Sequence, residues 1–144
     1  MISLLFSVVL LQTDNTPPTA ALTLPKSVKA GQTVTAQLAV GFASGLHGYQ
    51  NPPSDSFEIP VTVKLKSGDA KVVKIAYPKG ADMTMPGDTK PTKVYSGTVT
   101  IPLKIKVGKK GGPLVIEVDY QQCTEANCFP PASVTAKGTL QLKG

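Results

Sequence analysis

The chain has 144 residues, enough for one domain that buries a core without staples or metals. It is 41% hydrophobic and 17% charged, with 13 glycines and 13 prolines, which favours turns and short strands over helices. The net charge of +6 comes from lysine alone; lacking the arginine forks and stacked aromatics that read phosphates and bases, the sequence argues against a nucleic-acid partner.

The N-terminus, MISLLFSVVLLQTDNTPP, has an apolar run from Ile2 to Leu11. The run is too short to span a bilayer but matches the apolar region of a secretory signal, with a buried first strand as the alternative. Residues 1–15 are therefore expected to be a leader and linker, and residues 16–144 the folded domain of an exported protein. No later segment is apolar and long enough to cross a membrane.

Short strands follow in order. Ala20–Leu24 ends at Pro25, and Gln32–Phe42 alternates Val34, Ala36, Leu38 and Val40. Ile59–Lys66 and Lys71–Tyr77 flank Ser67-Gly68-Asp69, which reads as a hairpin turn. Val94–Val107 contains Pro102, so it is expected to be an edge strand or to bend there. Leu114–Gln122 and Ser133–Lys143 close the chain. Lysines alternate with apolar residues in these runs, as the solvated face of a strand requires. Ala43–Ser56 and Lys79–Lys93 read as long irregular loops. Seven or eight short strands without a helix imply an all-β, immunoglobulin-like antiparallel sandwich, with a barrel as the alternative.

Both cysteines lie in YQQCTEANCFPP, residues Tyr120–Pro131. Leu114, Ile116, Val118 and Tyr120 should face the core, which carries Cys123 to the outward side at the strand end. A turn over Thr124–Asn127 would then bring Cys128 opposite Cys123, within reach of a disulfide. That pairing is out of register with the even-numbered apolar set Val134, Ala136, Leu140 and Leu142. One residue must be absorbed, and Pro130-Pro131 is the expected place.

Three chemistries remain open for this pair. A staple closing so short a loop is worth only about 2 kcal/mol. A metal clip would need further ligands, with His47, Met83 and Met85 as the soft candidates for copper(I). A redox pair with Asp119 and Glu125 nearby would need a partner to supply the activated thiolate. His47 is expected to be a loop or strand-end residue with its own hydrogen bonds. Motifs for nucleotide or other cofactors are absent from the sequence, so no cofactor is expected.

Three segments carry a family resemblance: LHGYQNPPSD (Leu46–Asp55), VYSGTVTIPL (Val94–Leu103) and VDYQQCTEANCFPP (Val118–Pro131). Together they resemble the N-terminal periplasmic domain of the thiol:disulfide interchange protein DsbD. The resemblance implies an immunoglobulin-like domain that relays electrons by disulfide exchange with thioredoxin-fold partners, fed by a membrane electron-transfer protein. It implies Cys123 and Cys128 as the redox pair, with Cys128 forming mixed disulfides and Cys123 resolving them. Tyr120, Gln121, Glu125, Phe129 and Pro130 would flank the site. Asp82–Lys90 would form a cap over it, with Asp82, Met83, Met85 and Pro86 where the family often presents an aromatic residue. The sequence shows neither the transmembrane nor the thioredoxin-like part, so the domain is expected to borrow its electron source or to have drifted to another role. A non-catalytic exported sandwich with a structural disulfide is the alternative, and relatives in copper-tolerance proteins keep a metal role in view.

Overall fold

The structure, a computed structural model, describes residues 14–143. Most of the expected leader, residues 1–13, lies outside the described residues. The described chain is all-β, with ten strands and no helix. One sheet of the sandwich runs β1 (Thr19–Thr23), β2 (Thr33–Gly41), β8 (Thr98–Val107), β5 (Ala70–Ile75). The other runs β10 (Ala132–Leu140), β9 (Gly112–Tyr120), β4 (Thr62–Ser67). A third, small sheet joins β3 (His47–Tyr49), β7 (Thr92–Ser96) and β6 (Ala81–Met83). All strand pairs are antiparallel. This is the expected immunoglobulin-like sandwich, with an added sheet at one end.

Alternation builds the core. Ala36, Leu38 and Val40 on β2 and Ile101, Leu103 and Ile105 on β8 are buried against Leu114, Ile116 and Val118 on β9. A strand shows successive side chains to opposite faces, so the intervening residues point outward. The outward residues of β4 and β9 pair their charges: Lys64 Nζ lies 2.9 Å from Asp119 Oδ2 and 3.5 Å from Glu117 Oε1. These exposed pairs add little stability but keep the face solvated.

Three expectations about the strands are corrected. Ser67-Gly68-Asp69 does not close a hairpin: β4 pairs with β9, whereas β5 pairs with β8 in the opposite sheet. Asp69 holds this corner to the β8–β9 turn instead, accepting from Gly108 N (2.9 Å) and from Lys110 N (2.5 Å). The Val94–Val107 run breaks at Gly97, whose φ of 60° is costly for any other residue, and not at Pro102. Pro102 lies within β8, between β2 and β5. It is tolerated because the β5 ladder ends at Ile75–Leu103; Ala76 N still donates to Pro102 O (2.9 Å), and proline lacks only the return bond. Finally, β3 and β6 lie inside the segments read as irregular loops. Three-residue strands are too short to show a period.

Candidate functional site

The two cysteines form a disulfide at the tip beyond β9 and β10. If the β9–β10 register continued unbroken from Tyr120–Ala132, Cys123 would face Phe129. It faces Cys128 instead. The extra residue is taken up between Cys128 and Ala132, where Phe129, Pro130 and Pro131 pair with nothing in a ladder. The expected slip at the two prolines is present. Phe129 N donates to Gln122 O (3.0 Å) and Thr124 N to Asn127 O (2.7 Å), so Cys123 and Cys128 sit between these bonds as a non-hydrogen-bonded pair. Side chains approach most closely at such positions, and the Cα atoms are 4.0 Å apart.

The two sulfurs sit in different surroundings. Cys123 is 1% exposed, contrary to the outward position that continuing the β9 period predicts. The period ends with β9 at Tyr120, and Cys123 turns its backbone to His47 instead. Cys123 N donates to His47 O (2.9 Å) and His47 N to Cys123 O (3.0 Å). Cys128, on the far side of the turn, is exposed.

Tyr49 completes the first contacts of the disulfide. Its hydroxyl lies 3.5 Å from Cys123 Sγ and 3.6 Å from Cys128 Sγ. With both sulfurs bonded to each other, only the phenol has a proton to donate. Burial first, then the charges of Glu58 and Asp88, pushes the Tyr49 hydroxyl above its usual range, so it stays protonated near neutral pH. Sequence reading missed this residue. The signal available was its spacing: His47 and Tyr49 are two apart in a strand and share a face, their rings edge-on with centroids 5.9 Å apart.

His47 opens β3, a strand-end position as expected, but it is buried and its Nε2 has no hydrogen-bond partner, contrary to the expectation that its side chain is satisfied. Its backbone is committed to the sheet on both sides, pairing with Ser96 and with Cys123, which fixes the ring inside. Burial lowers its pKa, partly opposed by Glu125, and so favours the neutral imidazole.

The expected flanking residues divide by place. Gln121 Nε2 donates to Phe129 O (3.2 Å) and braces the turn. Tyr120 belongs to the core, edge-on to Phe42 with centroids 6.4 Å apart. Pro130 is exposed and Phe129 half-buried. Glu125 lines two clefts, one of about 170 Å³ holding both cysteines and one of about 360 Å³ beside His47. Asp119 is on the outer face of β9, where the Ser133 hydroxyl (2.6 Å) and then Lys64 hold its carboxyl below the usual range. Gln122, unremarked in the sequence, is buried and donates to Asn15 Oδ1 (2.6 Å) and Thr16 O (2.8 Å). The stretch read as a linker is thereby fastened beside Cys123.

In the expected cap, Asp82 is ion-paired with Lys93, and Pro86 is exposed. Met85 lines the disulfide cleft with Tyr49, and Met83 lines the His47 cleft. The three soft metal candidates are therefore split between two clefts. Among the described residues no three His, Cys, Asp or Glu side chains cluster as metal ligands.

Fold and site together define a class: a β-sandwich thiol:disulfide exchange module. The profile of the family described as "Thiol:disulfide interchange protein DsbD, N-terminal" matches residues 13–139, and the chain belongs to that family. The N-terminal periplasmic domain of ScsB from Proteus mirabilis has a similar structure, at 16% identity and a TM-score of 0.53 over 82% of this chain. The match covers 43% of that ScsB chain, and at this identity it speaks to fold alone. The reduced N-terminal domain of DsbD from Neisseria meningitidis aligns at 18% identity and a TM-score of 0.49, over 86% of this chain and 89% of that one. No curated protein matches.

Proposed function

We propose that this domain works in the periplasm, passing electron pairs between the Cys123–Cys128 disulfide and thioredoxin-fold partners. The unequal exposure of the two sulfurs carries this reading. A partner thiolate attacks exposed Cys128 Sγ; the partner–Cys128 bond forms as the Cys123–Cys128 bond breaks, and Cys123 leaves as a thiolate. The Tyr49 hydroxyl is in place to donate to that leaving sulfur, and a low-pKa leaving thiol departs faster. The partner's second thiolate then attacks the partner's own sulfur in the mixed disulfide and releases Cys128. Two electrons have entered this domain, and solvent supplies two protons. Run backwards with a second partner, Cys128 attacks and Cys123 resolves. Asp82–Lys90 acts as the cap, with Met85 over the disulfide. A membrane electron-transfer protein is the proposed source of electrons.

The test is trapping. Cys123→Ala leaves the exposed thiol, which should displace thionitrobenzoate from a thioredoxin that keeps one active-site cysteine, activated as its mixed disulfide with thionitrobenzoate, and hold that thioredoxin in a stable mixed disulfide. Cys128→Ala leaves only the buried sulfur and should trap far less. If neither variant traps thioredoxin, and the wild-type bond resists reduced thioredoxin, the disulfide is structural and the relay reading fails. Cell fractionation tests the compartment: a cytoplasmic protein would refute export.

A further inference from the structure

The cap over the disulfide is held in an unusual way. Residues 84–91 connect β6 to β7, and among the described residues their one hydrogen bond is internal, from Asp88 N to Met85 O (3.0 Å). The Asp82–Lys93 ion pair and the Met83–Thr92 pairing tie down the base of the loop, not its tip. What reaches from the tip to the site is the half-buried Met85 side chain, which lines the cleft shared by Tyr49, Cys123 and Cys128. A thioether suits such a place, since it packs against sulfur and aromatic edges without needing a donor.

That choice of residue brings a reactivity. A thioether gains an oxygen readily, which converts a flexible apolar side chain into a polar one. The Met85 sulfoxide would be a strong acceptor in a cleft where the Tyr49 hydroxyl already faces the two sulfurs. A sulfoxide is strongly hydrated and loses the thioether's packing on sulfur and ring, so it favours the conformation that returns it to water. Among the described residues no hydrogen bond ties the tip to the rest of the protein, so nothing of that kind opposes the loop swinging out.

We propose that Met85 is an oxidation-sensitive latch: a peroxide converts its thioether to the sulfoxide, the cap lifts, and the Cys123–Cys128 disulfide exchanges faster. The inference rests on the reading of Asp82–Lys90 as a cap. In the step the peroxide O–O bond breaks and an S–O bond forms; Met85 loses two electrons and the peroxide is reduced to water. The cysteines, already joined, offer the same oxidant no thiol. Met83 serves as an internal comparison, because it lies in β6, paired with Thr92, and faces the other cleft.

The experiment treats the disulfide-bonded protein with hydrogen peroxide and locates the added oxygen by peptide mass. Reduction rates are then measured with dithiothreitol, which needs no docking, and with reduced thioredoxin. Full oxidation of Met85 should accelerate reduction by about fivefold, the population shift that losing a thioether packing contact allows. Met85→Leu should lose the response to peroxide, and Met83→Leu should keep it. Met85→Gln, polar without any oxidant, should be reduced faster than the untreated protein by either reductant. The latch is refuted if oxidised and untreated proteins are reduced at equal rates, if Met85→Leu still responds, or if Met85 resists peroxide while Met83 is oxidised. Failure of the relay reading looks different: thioredoxin would then reduce neither form, while the dithiothreitol rates still report on the latch.

Discussion

Tyr49→Phe isolates the one hydroxyl that faces both sulfurs. The substitution keeps the ring and its edge-on contact with His47 and removes only the oxygen, 3.5 Å from Cys123 Sγ and 3.6 Å from Cys128 Sγ. In the disulfide state that hydroxyl meets neutral sulfur, and its bond is worth about 0.5–1 kcal/mol. After reduction it can donate to a thiolate, where such bonds are worth about 1.5–3 kcal/mol. The difference, about 1–2 kcal/mol, stabilises the thiolate and corresponds to roughly one pKa unit. The reduced Tyr49→Phe protein should therefore show its more acidic thiol about one unit higher, read from thiolate absorbance against pH. A leaving thiol of higher pKa departs more slowly, so reduction by thioredoxin should slow about threefold. Superimposable titration curves for Tyr49→Phe and wild type would refute the assignment of the phenol as the donor.

Three further outcomes follow from the same geometry. His47 has a pKa lowered by burial, so the unfolded chain binds its proton more readily; stability should be unaffected above about pH 6.5 and fall as the pH drops from there toward the folded-state value. Burial raises the pKa of Glu58, which acts with the opposite sign, so the comparison is the difference in Tm between wild type and His47→Gln across pH 5–7.5; a difference independent of pH would contradict the buried neutral imidazole. Gln122→Ala removes the bonds to Asn15 and Thr16 and should lower stability by about 1–2 kcal/mol in urea, with faster amide exchange in the turn after β9. Gly80→Ala would set a Cβ 2.6 Å from Val94 O and 2.9 Å from Val94 N, so it should destabilise the cap sheet by about 1–3 kcal/mol, read as loss of amide protection in β7.

What could be read from the sequence had a buried face to write it. Leu114, Ile116, Val118 and Tyr120 alternate because one side of β9 is core, and the same alternation made the slip at Pro130-Pro131 visible before any coordinates. Turn chemistry was less informative. Ser67-Gly68-Asp69 signals a change of direction, but nothing local says that β4 will pair with β9, some fifty residues on, and not with β5. Cys123 was misplaced because a period was continued beyond the strand that produced it. Tyr49 and Gln122 were invisible for a related reason: each acts through a contact distant in sequence, Tyr49 with the sulfurs and Gln122 with Asn15 and Thr16.

The slip at the prolines also explains why the disulfide and its cap belong together. His47 pairs with Ser96 of β7 on one side and with Cys123 on the other, and Cys123 pairs in turn with Cys128. The small sheet therefore continues beyond β3, in the order β6, β7, β3, Cys123, Cys128. Had the β9–β10 ladder run on without the slip, Cys123 would have faced Phe129, and the cysteines would not have been partners. The slip releases the tip from the sandwich and lets it become the outer edge of the cap sheet. That position makes Cys123 internal, bonded through its backbone to His47, and leaves Cys128 as the exposed outer edge. The loop of the proposed cap springs from the other edge, after β6, and its Met85 lines the cleft that holds both sulfurs. The exposure of Cys128 and the burial of Cys123 are thus both set within one small sheet, outside the packed core of the sandwich.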